Sequence, residues 1–261
     1  MIYINEDNIK LIEQFKKIYK KRWIKSISKS FGSVGLTFEQ ELDKKADSLY
    51  FPDYYGIEIK CTTRYSRYPL FLFTVSFDGP SFPEINRIVE KYGYYDKDFA
   101  DKKILFAELN CNKQTVINNR YKFQLDLDML EQKLYLVVYD IKGNFIERKS
   151  FVYLVSIYNH LMLKLNKLAI IYASYKNINK EKYFRYYKIE LYQLLNFDIF
   201  LSLLNSGNID VSLISRINKS GMDKGRYRNK NLVFKIKKSK IDKLFKLVYS
   251  LDYDQVDISL S

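Results

Sequence analysis

Residues 52–60 of the 261-residue chain read Pro52-Asp53-Tyr54-Tyr55-Gly56-Ile57-Glu58-Ile59-Lys60. Isoleucines alternate here with charged residues, and this predicts a β-strand, because side chains two apart on a strand lie on the same face. In such a strand Glu58 stands beside Lys60, while Ile57 and Ile59 point the other way. The stretch therefore predicts a strand with one face in a core and one charged face.

A turn is predicted just before this strand. Pro52 and Gly56 are turn-forming residues, and a turn here returns Asp53 toward Glu58. Mg²⁺ prefers hard oxygen ligands and keeps several waters, so two carboxylates suffice to hold it. An ammonium beside them, on Lys60, can orient a water for attack on a phosphodiester. In a lysine-rich chain the same spacing also arises on solvated strand faces, so both interpretations stay open.

A short helix that carries one glutamate is predicted upstream, in the stretch Gly32-Ser33-Val34-Gly35-Leu36-Thr37-Phe38-Glu39 and on to Leu42. Ser33 can cap this helix, and Leu36, Phe38 and Leu42 can pack inward. An ordinary amphipathic helix with Glu39 on its surface fits the same pattern.

The two motifs together, GxVGxxFE at 32–39 and PD-x4-ExK at 52–60, resemble the MutH and MvaI/BcnI branch of the PD-(D/E)xK nucleases. The following Cys61-Thr62-Thr63 and Tyr68-Pro69-Leu70-Phe71 fit restriction enzymes of that branch. Residues 197–201 and 207–211 are similar to the opening of its recognition lobe, and residues 219–228 fall at its recognition hairpin. Members often carry a His-rich stretch before the last strand, where this chain has Arg228-Asn229-Lys230-Asn231, and this departure leaves base preference open.

The resemblance implies an enzyme that cuts or nicks double-stranded DNA and leaves 5′-phosphate and 3′-hydroxyl ends. Asp53 and Glu58 are assigned to Mg²⁺, with the carbonyl of Ile59 as a third ligand. Lys60 is placed beside the attacking water. Glu39 is carried over from the family's helix glutamate, either to orient Lys60 or to help hold a second metal ion. The predicted catalytic residues are therefore Glu39, Asp53, Glu58 and Lys60.

The charge of the chain indicates a polyanionic partner. The formal net charge is +14, and Lys and Arg that replace DNA counterions drive binding without regard to sequence. Lys outnumbers Arg, and Asn, Ile and Tyr are abundant, which is also the composition of AT-rich genomes. Genome bias explains part of the charge, and its sign and size still favour double-stranded DNA over an acidic small molecule.

Side chains for DNA contact are predicted in two groups, one after the catalytic strand and one in the polar segment before the last predicted strand. A solvated basic loop is the alternative for each group. The first group consists of Arg64, Ser66 and Arg67. The second group consists of Lys219, Lys224, Arg226 and Arg228.

The hydrophobic pattern and the small number of cysteines indicate the cellular compartment of the protein. No run of about eighteen apolar residues is present, and residues 1–7 lack the basic and apolar regions of a signal peptide. Two cysteines, Cys61 and Cys111, and one histidine, His160, argue against a disulfide framework and a zinc site. We expect a bacterial cytoplasmic protein.

The pattern of elements predicts a mixed α/β fold, a restriction-endonuclease-like central mixed sheet flanked by helices. We expect one domain over 1–261, with a catalytic lobe at about 1–150 and a recognition lobe at about 151–261, two intimate lobes that form a DNA cleft. Predicted helices cover 7–28, 33–45, 83–92, 151–165, 197–204 and 239–249. Predicted strands cover 57–61, 70–76, 103–109, 121–127, 134–140, 168–175, 183–190 and 232–236, and the segment 209–217 follows the helix predicted at 197–204.

The favoured function is a type II restriction endonuclease that uses Mg²⁺, with a DNA methyltransferase as its genetic partner and a monomer as its expected state. A MutH-like strand-nicking repair enzyme is the near alternative. A DNA-binding protein on the same scaffold that does not cut is a second alternative. An RNA-binding protein is a third, since aromatic residues make up 16% of the chain and can stack on bases.

Overall fold

A computed structural model describes residues 5–30, 32–42 and 52–254. In these residues the helices are α1 (Glu6–Lys20), α2 (Ser33–Glu41), α3 (Glu84–Tyr92), α4 (Leu154–Leu165) and α5 (Phe197–Asn205), with a 3₁₀-helix at Lys238–Lys243. The first seven strands are β1 (Ile24–Lys25), β2 (Glu58–Thr63), β3 (Leu70–Val75), β4 (Tyr94–Tyr95), β5 (Lys103–Leu109), β6 (Thr115–Ile117) and β7 (Tyr121–Asp128). The others are β8 (Lys133–Asp140), β9 (Phe145–Tyr153), β10 (Lys167–Ile178), β11 (Glu181–Leu194), β12 (Ile209–Ile217), β13 (Tyr227–Ile236) and β14 (Phe245–Asp252).

The chain divides into two compact units, neither of which is continuous in sequence. Unit 1 combines Met1–Tyr68, Met162–Leu195 and Phe245–Ser261, and unit 2 combines Pro69–Leu161 and Asn196–Leu244. The expected lobes at about 1–150 and 151–261 differ from this division. The difference arises because β2, in the first quarter of the chain, takes its neighbour β10 from beyond residue 160.

Unit 1 is built on a mixed five-stranded sheet, as the sequence predicts. Its strands follow the order β1-β11-β10-β2, and β14 also pairs with β11. The pairing of β10 with β2 is parallel, and the register sets Glu58 opposite Leu168 and Lys60 opposite Ile170. The other pairings in this sheet are antiparallel. The charged triplet therefore lies on a strand at one side of the described sheet.

The core of unit 1 fixes which face of β2 is charged. Ile57 and Ile59 are buried in one cluster with apolar residues of β10 and β11 and with Phe15 and Phe38 from α1 and α2. Burial of a large apolar side chain contributes about 2 kcal/mol. A shift of β2 by one residue would expose both isoleucines, so this packing holds Glu58 on the opposite face.

Unit 2 contains two sheets. One has the strand order β3-β13-β12-β5-β4 and the other is the antiparallel meander β6-β7-β8-β9. In the first sheet β12 and β13 form a hairpin, with Arg216 opposite Arg228 near its loop. The predicted recognition segment at 219–228 is thus the loop of this hairpin and the start of its second strand.

Two helix predictions differ from the structure. The helix predicted at 7–28 ends at Lys20, because Arg22 takes a positive φ of 59° and the chain then enters β1. The helix predicted at 239–249 is wrong. A 3₁₀-helix occupies Lys238–Lys243, and Phe245–Asp252 is a strand that pairs with β11. A free sheet edge here overrides local helical spacing.

The remaining predicted elements are present, with some differences in their bounds. Strand β5 has the predicted bounds, and α3 ends at Tyr92 as predicted. The helix predicted at 151–165 begins at Leu154, because 151–153 continue strand β9, which was not predicted, and β13 begins at Tyr227 rather than at 232. Helix α2 begins at Ser33, although the cap residue is Gly32 and no side chain caps it. The end of its predicted range, at 43–45, lies outside the described residues. No helix in the described ranges is long and apolar enough to cross a membrane.

Candidate active site

The turn before β2 brings Asp53 back to the strand. Tyr54 and Ile57 exchange backbone hydrogen bonds of 3.0 and 2.8 Å, and Tyr55 and Gly56 between them have φ of 45° and 77°. Two central residues with positive φ make the tight turn that matches the twist of a hairpin. As a result the backbone N–H of Ile59 donates to Asp53 Oδ2 at 2.9 Å.

Glu58 and Lys60 stand together on the charged face of β2. Lys60 Nζ lies 2.5 Å from Glu58 Oε1, with 3% of the Glu58 side chain and 25% of the Lys60 side chain exposed. The second carboxylate oxygen, Glu58 Oε2, is buried and has no hydrogen-bond partner among the described residues. A buried carboxylate oxygen without a partner is costly, so this atom is suited to a cation.

The backbone of Ile59 faces the same edge as Asp53. In a strand the N–H and C=O of one residue point to the same side. Because the Ile59 N–H meets Asp53, the Ile59 carbonyl also points away from β10. Three hard oxygen donors therefore belong to this short segment, from Asp53, Glu58 and the Ile59 carbonyl.

This donor set, made of oxygen atoms alone, fits a hard cation such as Mg²⁺ better than Zn²⁺. Mg²⁺ is held by one or two carboxylates and keeps its other waters. A closed site of three or more His, Cys, Asp or Glu side chains does not occur within residues 5–30, 32–42 and 52–254. Two carboxylates and one carbonyl leave the other coordination positions of Mg²⁺ to water.

Glu39 and Asp53 both act electrostatically on Cys61, the residue after the triplet. Burial raises the pKa of the Cys61 thiol well above its usual value, and the negative charges of Glu39 and Asp53 raise it further. Cys61 is thus held as a thiol rather than a nucleophilic thiolate. Glu39 lies on α2 with Oε1 3.7 Å from the place of a Cβ at Gly35. The structure therefore puts Glu39 in electrostatic range of the residue that follows Lys60.

Gly56→Ala tests the turn that places Asp53. Gly56 has open space around it, so the cost comes from its positive φ and should be about 1–2 kcal/mol of unfolding free energy. Urea unfolding measures this cost. Gly32→Ala is the matched control, since Gly32 also has open space but a φ of −80°, and its stability should change little. Equal losses in both variants would contradict the role of the turn.

The six predicted DNA-contact residues fall in both units. In unit 1, the Arg64 guanidinium lies 4.6 Å from the Tyr187 ring centroid and pairs with Asp254, and Arg67 is exposed. In this conformation Arg64 is held by the protein's own groups. A phosphate contact by Arg64 therefore requires exchange of Asp254 for the phosphate.

The other four candidates lie on the β12–β13 hairpin of unit 2. Lys219 pairs with Asp96 and with Asp98, the latter at 3.0 Å. Arg226 Nη1 lies 2.9 Å from Asp223 Oδ1, with both side chains largely exposed. The two remaining candidates, Lys224 and Arg228, are exposed.

The hairpin also holds two basic residues that the prediction missed. Arg216 faces Arg228 across the strands, and its guanidinium lies 4.8 Å from the Phe106 ring centroid. Burial lowers the pKa of Lys230, and the positive charges of Arg228 and Arg216 lower it further. Alternation along β12, where Arg216 is exposed between buried Ser215 and Ile217, is the signal that could have found it.

These side chains surround a basic cavity. Arg216, Lys219 and Arg228 line a space of about 680 Å³ together with Asp96, and because Asp96 pairs with Lys219 the excess positive charge comes from the two arginines. Like charges directly opposite on a sheet are destabilising, so the pair of arginines costs stability unless an anion lies between them. The cavity is suited to a phosphate.

A mixed sheet whose side strand carries Glu58 and Lys60, with Asp53 returned to that strand by the preceding turn, is typical of a nuclease of the restriction-endonuclease type. A family model agrees with this class and matches residues 12–245. The chain belongs to the MvaI/BcnI restriction endonuclease family, and it is a site-specific nuclease.

Two solved structures are similar to the chain over nearly its whole length. The complex of restriction endonuclease MvaI with its cognate DNA substrate has 27% identity and a TM-score of 0.87, and the match covers 95% of this chain and 100% of that chain. Restriction endonuclease MvaI in the absence of DNA has 25% identity and a TM-score of 0.60, covering 96% of this chain and 100% of that one. No curated protein matches the chain.

Proposed function

We propose that this nuclease is a type II restriction endonuclease that uses Mg²⁺ to hydrolyse phosphodiester bonds of double-stranded DNA at a short specific sequence. Its products carry 5′-phosphate and 3′-hydroxyl ends. The observation that supports this most is the pairing of Lys60 with one oxygen of Glu58 while the other oxygen is buried without a described partner.

The proposed metal ligands are Asp53, Glu58 and the carbonyl of Ile59. When bound, Mg²⁺ neutralises charge that develops on the phosphate and acidifies water. Asp53 is held by the Ile59 N–H, so its orientation is set before a metal arrives. The fit of the site rests on Glu58 Oε2, which is buried without a described hydrogen-bond partner and is therefore suited to a cation.

The proposed role of Lys60 is to orient the attacking water and to stabilise the charge that develops on the phosphate. Glu58 Oε1 accepts from Lys60 Nζ at 2.5 Å and so holds the ammonium beside the metal ligands. A fixed ammonium of this kind stabilises a transition state without the cost of reorganisation. Glu39 is proposed as a positioning residue, and its electrostatic reach to Cys61 supports that role.

The residues of the β12–β13 hairpin are proposed to make two kinds of DNA contact, one to base edges and one to backbone phosphates. Arg226, on the exposed loop, is proposed to reach base edges, where Arg paired with guanine is the commonest specific contact. Arg228 and Arg216, opposite one another at the cavity, are proposed to hold a backbone phosphate. Arg64, Arg67, Lys219 and Lys224 remain proposed phosphate contacts. The solved complex of MvaI with its cognate DNA supports the same partner for this chain.

Arg228→Ala tests the phosphate assignment. Removal of one backbone contact should weaken binding about equally for all DNA sequences and lower the slope of log affinity against log salt by about 1. Fluorescence anisotropy at several salt concentrations measures both. A variant that binds with the wild-type slope but prefers different sequences would show that Arg228 reads bases instead.

The function itself is tested by digestion of an unmethylated plasmid with the purified protein and Mg²⁺. We expect discrete fragments whose sequenced ends share one short sequence, and no cleavage with EDTA. Nicked circles alone would favour the MutH-like alternative. DNA binding without any cleavage would favour a silent scaffold, and a preference for RNA would favour the RNA-binding alternative.

One genetic partner and the oligomeric state complete the proposal. A DNA methyltransferase of the same specificity is proposed as the genetic partner, because a restriction endonuclease cuts its own genome unless the sites are modified. The protein is proposed to act as a monomer. Sequencing of the neighbouring genes tests the first point, and light scattering of the protein with DNA tests the second.

A further inference from the structure

The β10–β11 hairpin of unit 1 extends beyond the strands that flank it. Strand β2 pairs with β10 only up to Ala173, and β14 pairs with β11 only from Lys188. Residues 174–184, here called the hairpin tip, form a turn at Asn179 and Lys180, which have φ of 50° and 64°. Beyond its own two strands, the tip pairs with β1 alone among the described strands.

The hairpin tip and the adjoining residues 22–29 are strongly basic. They hold six cations and one carboxylate, Glu181. Glu181 pairs with Lys25 at 2.6 Å, and the positive charge of Lys29 also helps lower its pKa. The six cations are Arg22, Lys25, Lys29, Lys176, Lys180 and Lys182. None of them is among the residues proposed above to bind metal or DNA.

Aromatic side chains lie among these lysines. Lys176 Nζ lies 4.2 Å from the ring centroid of Trp23, and Lys182 Nζ lies 5.5 Å from that of Tyr175. Tyr175 is 54% exposed. Such contacts hold the long lysine side chains in place at the surface, so fewer of their rotamers must be ordered when a polyanion binds.

The tip lies far along the sheet from the proposed catalytic residues. Lys60 is opposite Ile170, and Ile178 ends the strand eight residues further on. At about 3.3 Å per residue this distance is about 26 Å. The same length corresponds to roughly eight base pairs of B-DNA, at about 3.4 Å per pair. The tip is therefore too distant from the proposed catalytic residues to touch the bond that they would cut.

We propose that the hairpin tip binds the phosphate backbone of duplex DNA outside the recognition sequence, without regard to base sequence. The choice of partner rests on the proposed function, because a DNA substrate in the active site provides a neighbouring polyanion. The net positive charge matches that partner, because Lys and Arg that replace DNA counterions bind duplex phosphates without regard to sequence.

The test is the salt dependence of binding to a duplex of about 30 base pairs, long enough at about 3.4 Å per pair to cover site and tip. The triple variant Lys176→Gln, Lys180→Gln, Lys182→Gln is compared with wild type in EDTA, so that cleavage does not interfere. Each lost phosphate contact lowers the slope of log affinity against log salt by about 0.9, and we expect a fall of about 2–3. The matched control changes three exposed lysines elsewhere, Lys113→Gln, Lys142→Gln and Lys149→Gln.

A second readout needs no variant. Trp23 is the only tryptophan in the chain, and Lys176 lies over its ring. Occupation of the hairpin tip should therefore change the tryptophan fluorescence when wild-type protein binds the long duplex. Once the cut site is mapped, a duplex with about 4 base pairs on each side of it should bind without this change, since the tip reaches roughly eight base pairs away.

The outcomes separate the two proposals. A wild-type slope in the tip variant, or an equal fall in the control variant, overturns the role of the tip. Unchanged tryptophan fluorescence on the long duplex overturns it as well, even if the tip variant is poorly folded. A wild-type protein that binds DNA with these signatures but does not cut refutes the proposed cleavage function and leaves the tip assignment standing.

Discussion

Lys60→Ala is expected to lower the rate constant of DNA cleavage by roughly 10³-fold while DNA affinity stays close to that of the wild type. The loss is large because Lys60 is held against Glu58, beside the proposed metal ligands, and nothing else in the triplet can supply a positive charge. DNA affinity is retained because the substitution leaves Arg64 and the proposed DNA contacts of the β12–β13 hairpin in place.

Single-turnover cleavage of a mapped site, with anisotropy for binding, measures both effects. Lys246→Ala is the matched control, since Lys246 is exposed on β14 of the same unit and has no assigned role. Cleavage by Lys60→Ala at the wild-type rate would overturn the assignment.

Removal of Lys60 leaves a buried carboxylate without its ion pair, which costs up to about 3 kcal/mol. Lys60→Gln, which can still donate to Glu58, separates a loss of chemistry from a loss of stability.

Glu58→Gln is expected to reduce cleavage by about 10³-fold, the equivalent of about 4 kcal/mol of transition-state stabilisation from the metal. The amide has the same shape as the carboxylate, so the buried position remains filled. It lacks the negative charge that Glu58 Oε2 offers to a cation. The variant should therefore fold and bind DNA but fail to use Mg²⁺.

The stability of the protein gives a readout of this effect that is independent of cleavage. A ligand that binds only the folded state at ten times its dissociation constant stabilises by about 1.4 kcal/mol. Wild-type protein should gain this amount with Mg²⁺, measured by urea unfolding, and Glu58→Gln should not. Glu13→Gln, an exposed change on α1, serves as the control and should gain as the wild type does. Equal gains in all three proteins would place the metal elsewhere.

The candidate site was accessible from the sequence because its geometry is local. Strand periodicity alone sets Glu58 beside Lys60, and turn residues alone return Asp53 to the strand. The structure adds what periodicity cannot give. The position of β2 beside β10 depends on residues more than a hundred positions away in the chain.

The parts that the sequence did not predict depend on long-range pairing. Residues 245–252 have helical spacing, yet they form β14 because the edge of β11 is open to them. The division into two discontinuous units has the same origin, since neighbouring strands come from opposite ends of the chain. Arg216 and Arg228 lie opposite one another because of the register between β12 and β13. No local pattern in the loop between them reveals that register.

The most direct test of the central claim is the location of a metal ion. Crystals of the protein with DNA and Mn²⁺, measured for anomalous scattering, should give a peak within about 2–2.5 Å of the Asp53 carboxylate, Glu58 Oε2 and the Ile59 carbonyl oxygen. The peak should disappear in Glu58→Gln. A peak bound by other residues, in crystals whose DNA is cut, would contradict the account.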